Sequence, residues 1–345
     1  MIRNLLCLAL AACFATAAAP SQQTSPSAPA QPAQNQTPPA QNSTTQPPQS
    51  SQGQPNQPGQ ADDNANSRVF KIGANEVSLI FTVTDSHGHY IPNLTQNDFA
   101  LLDDQKAPAR VNSFHQQINL PLRVGLVIDA STSIHSRFQF EQQSAIEFLL
   151  QALKSRSDRA FVMGFDVTPT VTQNWTDDMD ALEQGINKLR PGGGTALFDA
   201  VYTACRDKML TERGPEPVRK AMILISDGDD NQSRVYLSEA IKECERAETI
   251  IYAISTNWTP SRGPGDKVLD ELATETGGEA FWPPNVEDMA TSFQSIETEL
   301  RSQYALNYTP ADFQYNGAFR TIYLYCYDRR YKVHAKKGYF ATAGP

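Results

Sequence analysis

Five oxygen-bearing residues in three separate stretches of the chain could together hold a hard divalent cation. Asp129-Ala-Ser-Thr-Ser133 offers one carboxylate and two hydroxyls at i, i+2 and i+4, directly after the apolar run Val124–Ile128. All three therefore leave a single turn just past a buried strand. Gly192-Gly-Gly-Thr195 adds a third hydroxyl, and the second apolar run, Met222-Ile-Leu-Ile-Ser-Asp227, ends on a second carboxylate. Mg2+ takes roughly six oxygens in near-octahedral array and usually keeps some water. Asp129 and Asp227 are charged, whereas Ser131, Ser133 and Thr195 are neutral, so the set leaves a bound ion short of negative charge with a position open. Such an ion attracts one more carboxylate from outside. A closed calcium loop would show alternating acidic residues and a terminal Glu, and this pattern shows neither. Mg2+ is the expected ion, with Mn2+ or Ca2+ able to replace it. His135, Gly194 and Asp229 are expected at the rim.

The elements that must position these residues follow from hydropathy. From Leu122 onward strands and helices alternate, which predicts a mostly parallel sheet covered by helices on both faces. Strands are predicted at 122–128, 159–165, 221–226, 249–255 and 279–282, with an antiparallel edge at 167–172. Helices are predicted at 138–153, 178–189, 196–210, 236–247, 266–275 and 286–302. In the first of these, Ala145, Ile146, Leu149, Leu150 and Leu153 are expected on one side. In open parallel sheets ligands collect beyond the carboxyl ends of the strands, where Asp129 and Asp227 stand. The glycines before Thr195 are expected to take positive φ and to let the backbone approach a ligand.

Strand-like segments also lie outside this α/β unit, at 76–84, 99–102 and 110–114 before it and at 304–308, 319–326, 331–335 and 338–340 after it. Neither group has helices of its own or a core large enough to stand alone. They are expected to pair with one another, giving one β-sandwich from both ends of the chain with the doubly wound α/β unit inserted in it. The expected boundaries are 1–17 for an export leader, 18–67 for a linker, 68–118 and 303–342 for the two sandwich parts, and 119–302 for the insert.

The pattern D-x-S-x-S, a distant Thr and a final (T/S)-D-G Asp resembles the metal-ion-dependent adhesion site of von Willebrand factor type A domains. All five positions are matched in order by Asp129, Ser131, Ser133, Thr195 and Asp227. Over residues 69–340 the chain is similar to the von Willebrand factor A-related family common in Acidobacteria. That likeness is carried by Phe81-Thr-Val-Thr-Asp85, Leu94-Thr-Gln-Asn-Asp-Phe99, Ser226-Asp-Gly-Asp-Asp230, Gln303-Tyr-Ala-Leu-Asn-Tyr-Thr-Pro310 and Gly338-Tyr-Phe340. The resemblance implies an exported protein with an A-type fold and leaves its biological role open.

Composition narrows the class. Met1–Ala17 has one basic residue, a short apolar core and a small-residue end, which reads as a secretory leader. Leu10-Ala-Ala-Cys13 also fits a lipobox, so lipid anchoring at Cys13 is an alternative to release. Residues 18–67 are Pro-, Gln- and Ser-rich without aromatics, and are expected to be disordered. No further apolar run is long enough for a transmembrane helix. A net charge of −9 without a basic cluster argues against nucleic acid. Beyond the leader the cysteines are Cys205, Cys244 and Cys326, and the first two fall on helices expected to be neighbours, where a bridge could form. His87 and His89 read as solvated turn residues; Asp229 and Asp230, on the loop after Asp227, either stand behind the metal ligands or are simply solvated, the latter being the expectation.

Enzyme classes fit poorly. There is no G-x-S-x-G elbow, no phosphate-binding G-x-x-x-x-G-K-[ST] and no H-E-x-x-H, and Ser131 replaces the second Asp that a dehalogenase-type phosphatase requires. No catalytic residue is assigned. The expected function is an exported, metal-dependent protein-binding module of adhesion type, located in the periplasm, cell envelope or extracellular space. In it the cation captures a partner's Asp or Glu. The alternative is an envelope scaffold whose sandwich does the binding and whose metal is structural.

Overall fold

The structure is a computed structural model that describes residues 76–117, 120–132, 138–212, 218–257, 261–285 and 288–342. The leader, the lipobox, the whole linker, the first residues of the first sandwich part, Ser133 and His135 lie outside the described residues.

Three strands open the described chain: β1 (Val77–Thr84), β2 (Phe99–Asp103) and β3 (Arg110–Gln117). The inserted unit then runs β4 (Leu122–Asp129), α1 (Phe138–Ala152), β5 (Arg159–Phe165), β6 (Pro169–Thr176), α2 (Met179–Asn187), α3 (Leu197–Thr203), β7 (Arg219–Ser226), α4 (Leu237–Arg246), β8 (Thr249–Ser255), α5 (Pro264–Thr276), β9 (Ala280–Phe281) and α6 (Met289–Arg301). The chain returns as β10 (Gln303–Thr309), β11 (Phe319–Cys326), β12 (Lys332–Ala335) and β13 (Gly338–Phe340).

The insert is a sheet in the order β6-β5-β4-β7-β8-β9, parallel except for β6, with β4 buried along its whole length at the centre. Alternate side chains of β4 feed two cores, as the period of two in a strand requires. Leu122, Val124, Leu126 and Ile128 pack with α1, α2 and α6, while Val127 packs with α3, α4 and α5. In α1 the expected stripe is nearly right, but Leu150 is exposed and Phe148 takes a buried place. Position 150 lies about 100° around the helix from Leu149 and so falls off the apolar face.

The outer strands form two antiparallel sheets, β12-β1-β10-β3 and β13-β11-β2. β1 lies between β10 and β12, and β2 pairs with β11, so each sheet mixes strands from both sides of the insert. Leu79, Phe81, Phe99, Tyr304, Tyr308 and Ile322 share one core between them. Gln117 is paired with Gln303, which places the entry and exit of the insert side by side. Asp103, fully buried, pins the sandwich by accepting from the Tyr308 and Tyr339 hydroxyls at 2.6 and 2.8 Å and from Arg320 Nε at 2.7 Å. The buried charge is stable because it is paired and hydrogen-bonded.

The helix expected at 196–210 is divided. α3 ends at Thr203, and Ala204–Met209 continues as π-helix, with the Leu210 amide donating to the Cys205 carbonyl at 2.8 Å. Cys205, at the head of that wider turn, is bridged to Cys244 of α4 across 5.0 Å between Cα atoms. Cys326 is buried and free.

Candidate metal centre

β4 and β7 are adjacent parallel strands, and they deliver Asp129 and the Ser226-Asp227 pair to the same edge of the sheet. Asp129 is fully buried and both its oxygens are engaged. Oδ1 accepts from the Ser131 amide at 2.8 Å, and Oδ2 accepts from the Ser226 hydroxyl at 2.7 Å. Ser226 in turn accepts from the Gly228 amide at 3.0 Å. A carboxylate has roughly four lone-pair sites, so Asp129 keeps capacity for a further donor or a cation. Burial lifts its carboxyl to about 6, the Ser131 and Ser226 hydrogen bonds oppose that, and the charge of Asp227 adds to it.

The loop holding Ser131 is tied on two sides. The Ala130 amide donates to the Phe165 carbonyl at 2.7 Å, and the Gly192 amide donates to the Ala130 carbonyl at 2.7 Å. The Thr132 hydroxyl donates to the Gly193 carbonyl at 2.9 Å. The glycine stretch thus closes on the 130–132 backbone, and only Gly193 of the three takes positive φ, at 75°. A Cβ on Gly194 would come within 2.7 Å of Gln232, so that glycine is needed for packing against the loop after β7. Thr195, nearly buried, is clasped by that loop: its amide donates to Asn231 Oδ1 at 3.0 Å, and its carbonyl accepts from the Asn231 and Gln232 amides at 2.9 and 3.0 Å. Sequence reading missed Ser226 and Asn231. Ser226 was visible as the residue before Asp227, whereas nothing in the sequence marks Asn231.

Asp227 is half-buried at the mouth, and its Oδ1 accepts from the Asp229 amide at 3.1 Å. Its turn is set by backbone contact. Gly228 has φ 82°, and a Cβ there would lie 2.1 Å from the Gly265 carbonyl oxygen at the start of α5. Asp229 is exposed, and its carboxyl is raised by burial, Asp227 and Asp266 in that order. Asp230 is not simply solvated as expected: its Oδ1 accepts from Ser233 Oγ at 2.5 Å and from the Phe198 amide at 3.3 Å, so it serves the first turn of α3.

The structure thus brings Asp129, Ser131, Thr195 and Asp227 to one edge, with Gly194 and Asp229 beside them. Buried carboxylate and hydroxyl oxygens, with a second carboxylate raising the first, fit a hard cation that would neutralise both. Elsewhere among the described residues, His, Cys, Asp and Glu ligand atoms gather within 4.8 Å at Asp85–His87–His89 and at Glu279–Glu299–His334. The former is an exposed turn in which Asp85 accepts from the His87 and His89 amides at 2.8 and 2.9 Å, consistent with solvated histidines.

The family model for the von Willebrand factor type A domain matches residues 124–299, just over half of the chain, and the chain belongs to that family. Domains of this family often bind a metal, mediate protein interactions and are typically not enzymes. The chain is 26% identical over 159 residues to human von Willebrand factor A domain-containing protein 3B, a match covering 45% of this chain and 11% of that protein. A von Willebrand factor type A structure from Catenulispora acidiphila is 14% identical with a TM-score of 0.45, over 73% of this chain and 74% of that one. Proximal thread matrix protein 1 from the mussel byssus, solved with a zinc-occupied adhesion motif, is 18% identical with a TM-score of 0.46, over 56% and 50% of the two chains. Among the described residues no helix is long and apolar enough to cross a membrane.

Proposed function

We propose that this chain is an exported protein-binding module of adhesion type that captures an acidic group through a divalent cation. The observation that carries the reading is the convergence of Asp129 and Asp227 at the ends of neighbouring strands, with Ser131 and Thr195 fastened beside them. Ser131, Ser133 and Thr195 would hold Mg2+ directly, and Asp129 and Asp227 partly through water, with Mn2+ or Ca2+ able to substitute. The bound ion supplies an electrophilic centre short of negative charge, open to a carboxylate oxygen of a partner. Around it the chain provides orientation: Ser226 fixes the Asp129 carboxylate, Asn231 fixes Thr195, and Gly194 and Asp229 lie beside them; His135 would join them at the rim. Export is supported by the leader-like start and by the Cys205–Cys244 bridge, which belongs to an oxidising compartment. Whether the chain is released or held at Cys13 does not affect this chemistry.

The test is calorimetric titration of the full chain with MgCl2, followed by capture of envelope proteins with and without chelator. Wild type is expected to bind the ion and to capture acidic partners only in its presence, and Asp227→Ala is expected to lose both while remaining folded. Absence of any divalent-ion binding at millimolar concentration would refute the proposal. A second reading, a scaffold whose sandwich binds the partner, is favoured by the exposed tyrosines Tyr323, Tyr325 and Tyr327 along β11 and its end. In that case Asp227→Ala leaves capture unchanged.

A further inference from the structure

A second cluster lies where the insert meets the sandwich. Glu299 stands on α6, Glu279 just before β9, and His334 on β12 of the sandwich. Their ligand atoms lie within 4.8 Å of one another, with His334 Nε2 3.8 Å from Glu279 Oε2. Glu299 is 1% exposed, and among the described residues neither of its carboxylate oxygens has a hydrogen-bond partner. Burial pushes the Glu299 carboxyl up, while His334, Arg219 and Tyr252, whose hydroxyl accepts from Arg219 at 2.9 Å, pull it back. A buried carboxylate left this way is costly unless something pairs with it.

We propose that Glu279, Glu299 and His334 form a divalent transition-metal site, of zinc class, that staples the α/β insert to the β-sandwich. The donor set chooses the metal class: imidazole with carboxylates suits zinc, whereas Mg2+ prefers oxygen alone. Bonds of about 2.0–2.2 Å separate tetrahedral ligand atoms by roughly 3.5 Å, so modest side-chain rotation, easiest at the part-exposed Glu279, closes the shell. His334 Nε2 now meets the Thr84 hydroxyl at 3.1 Å, and metal binding exchanges that hydrogen bond for a coordinate bond. Lys332 approaches Glu279 at 3.7 Å, but its side chain is 58% exposed and free to turn outward.

The seam is rigid enough to preform the site. Gly277 closes α5 with φ 90°, and a Cβ there would lie 2.3 Å from the Ala335 carbonyl carbon, next to His334. The Thr82 hydroxyl of β1 donates to the Glu299 carbonyl at 3.4 Å, joining α6 to the sandwich at the same level. This site is separate from the adhesion-type edge and does not depend on its reading.

The experiment is titration of the full chain with ZnCl2 in saturating Mg2+, carried out in an Asp227→Ala background to silence the first site. One zinc equivalent is expected, with affinity lowered about ten-fold or more by His334→Gln and by Glu279→Gln, and with a rise in melting temperature that both variants lose. Cobalt substitution should give visible absorption bands that the same variants abolish. The proposal is overturned if the Asp227→Ala protein binds no zinc, or if both variants bind zinc as it does. Should His334→Gln fail to fold, Glu279→Gln at the part-exposed rim decides alone.

Discussion

Replacing Ser226 by Ala tests how the metal edge is built. The hydroxyl it removes donates to Asp129 Oδ2 at 2.7 Å and accepts from the Gly228 amide at 3.0 Å, both in full burial. A hydrogen bond to a charged group contributes about 1.5–3 kcal/mol, and stranding a buried partner costs ~1–3 kcal/mol. Asp129 keeps the Ser131 amide at 2.8 Å, so its loss is partial. A destabilisation on the order of 3 kcal/mol follows, which for a chain of this size lowers Tm by roughly 6–12 °C. The assay is differential scanning calorimetry of wild type and Ser226→Ala in chelator at neutral pH, with Ser226→Thr as the control that restores the hydroxyl. The threonine variant should recover most of the loss. If Ser226→Ala melts within about 2 °C of wild type, Asp129 is not held in the way described, and the reasoning about the edge fails.

Three further outcomes are expected. Gly228→Ala must place a Cβ 2.1 Å from the Gly265 carbonyl at φ 82°, and should lose about 4 kcal/mol or more in urea unfolding; a loss near zero would mean that the loop relaxes freely. Opening the Cys205–Cys244 bridge, which spans a sequence separation of 39, should cost roughly 4 kcal/mol on the chain-entropy model, seen as a lower melting temperature for the Cys205→Ala/Cys244→Ala double variant and checked against reductant. Glu245, half-buried, is lifted from 4.5 to about 7 by burial and then by Glu275 on the neighbouring helix. Between those values the unfolded chain ionises first, so this residue's contribution to stability falls as pH rises through the window and levels off above about 7. Glu245→Gln should therefore be more stable than wild type above that window, by on the order of 1 kcal/mol after discounting for partial exposure, and equal to it below pH 4.5. Urea melts at both ends of the range check it.

Hydropathy period and residue type were enough to place β4, β7, β8 and β11 almost to the residue, because a fully buried strand or a strongly alternating one leaves its mark on every position along it. The same local pattern located Asp129, Ser131, Thr195 and Asp227, since each sits at a strand end or loop whose neighbours announce it. Pairing of the early strands with the late ones was also readable, from the lack of any other cover for their apolar faces.

Contacts between residues far apart in the chain left no such trace. That Ser226 donates across to Asp129, that Asn231 clasps Thr195, and that Asp230 turns to the head of α3 depend on how β4, β7 and α3 come together. The change to π-helix at Ala204 and the burial of Glu299 beside His334 likewise arise only when the pieces are packed. Periodicity records which side of an element faces inward; it does not record which partner waits there, because that is set by the three-dimensional meeting of elements rather than by any neighbour in the chain.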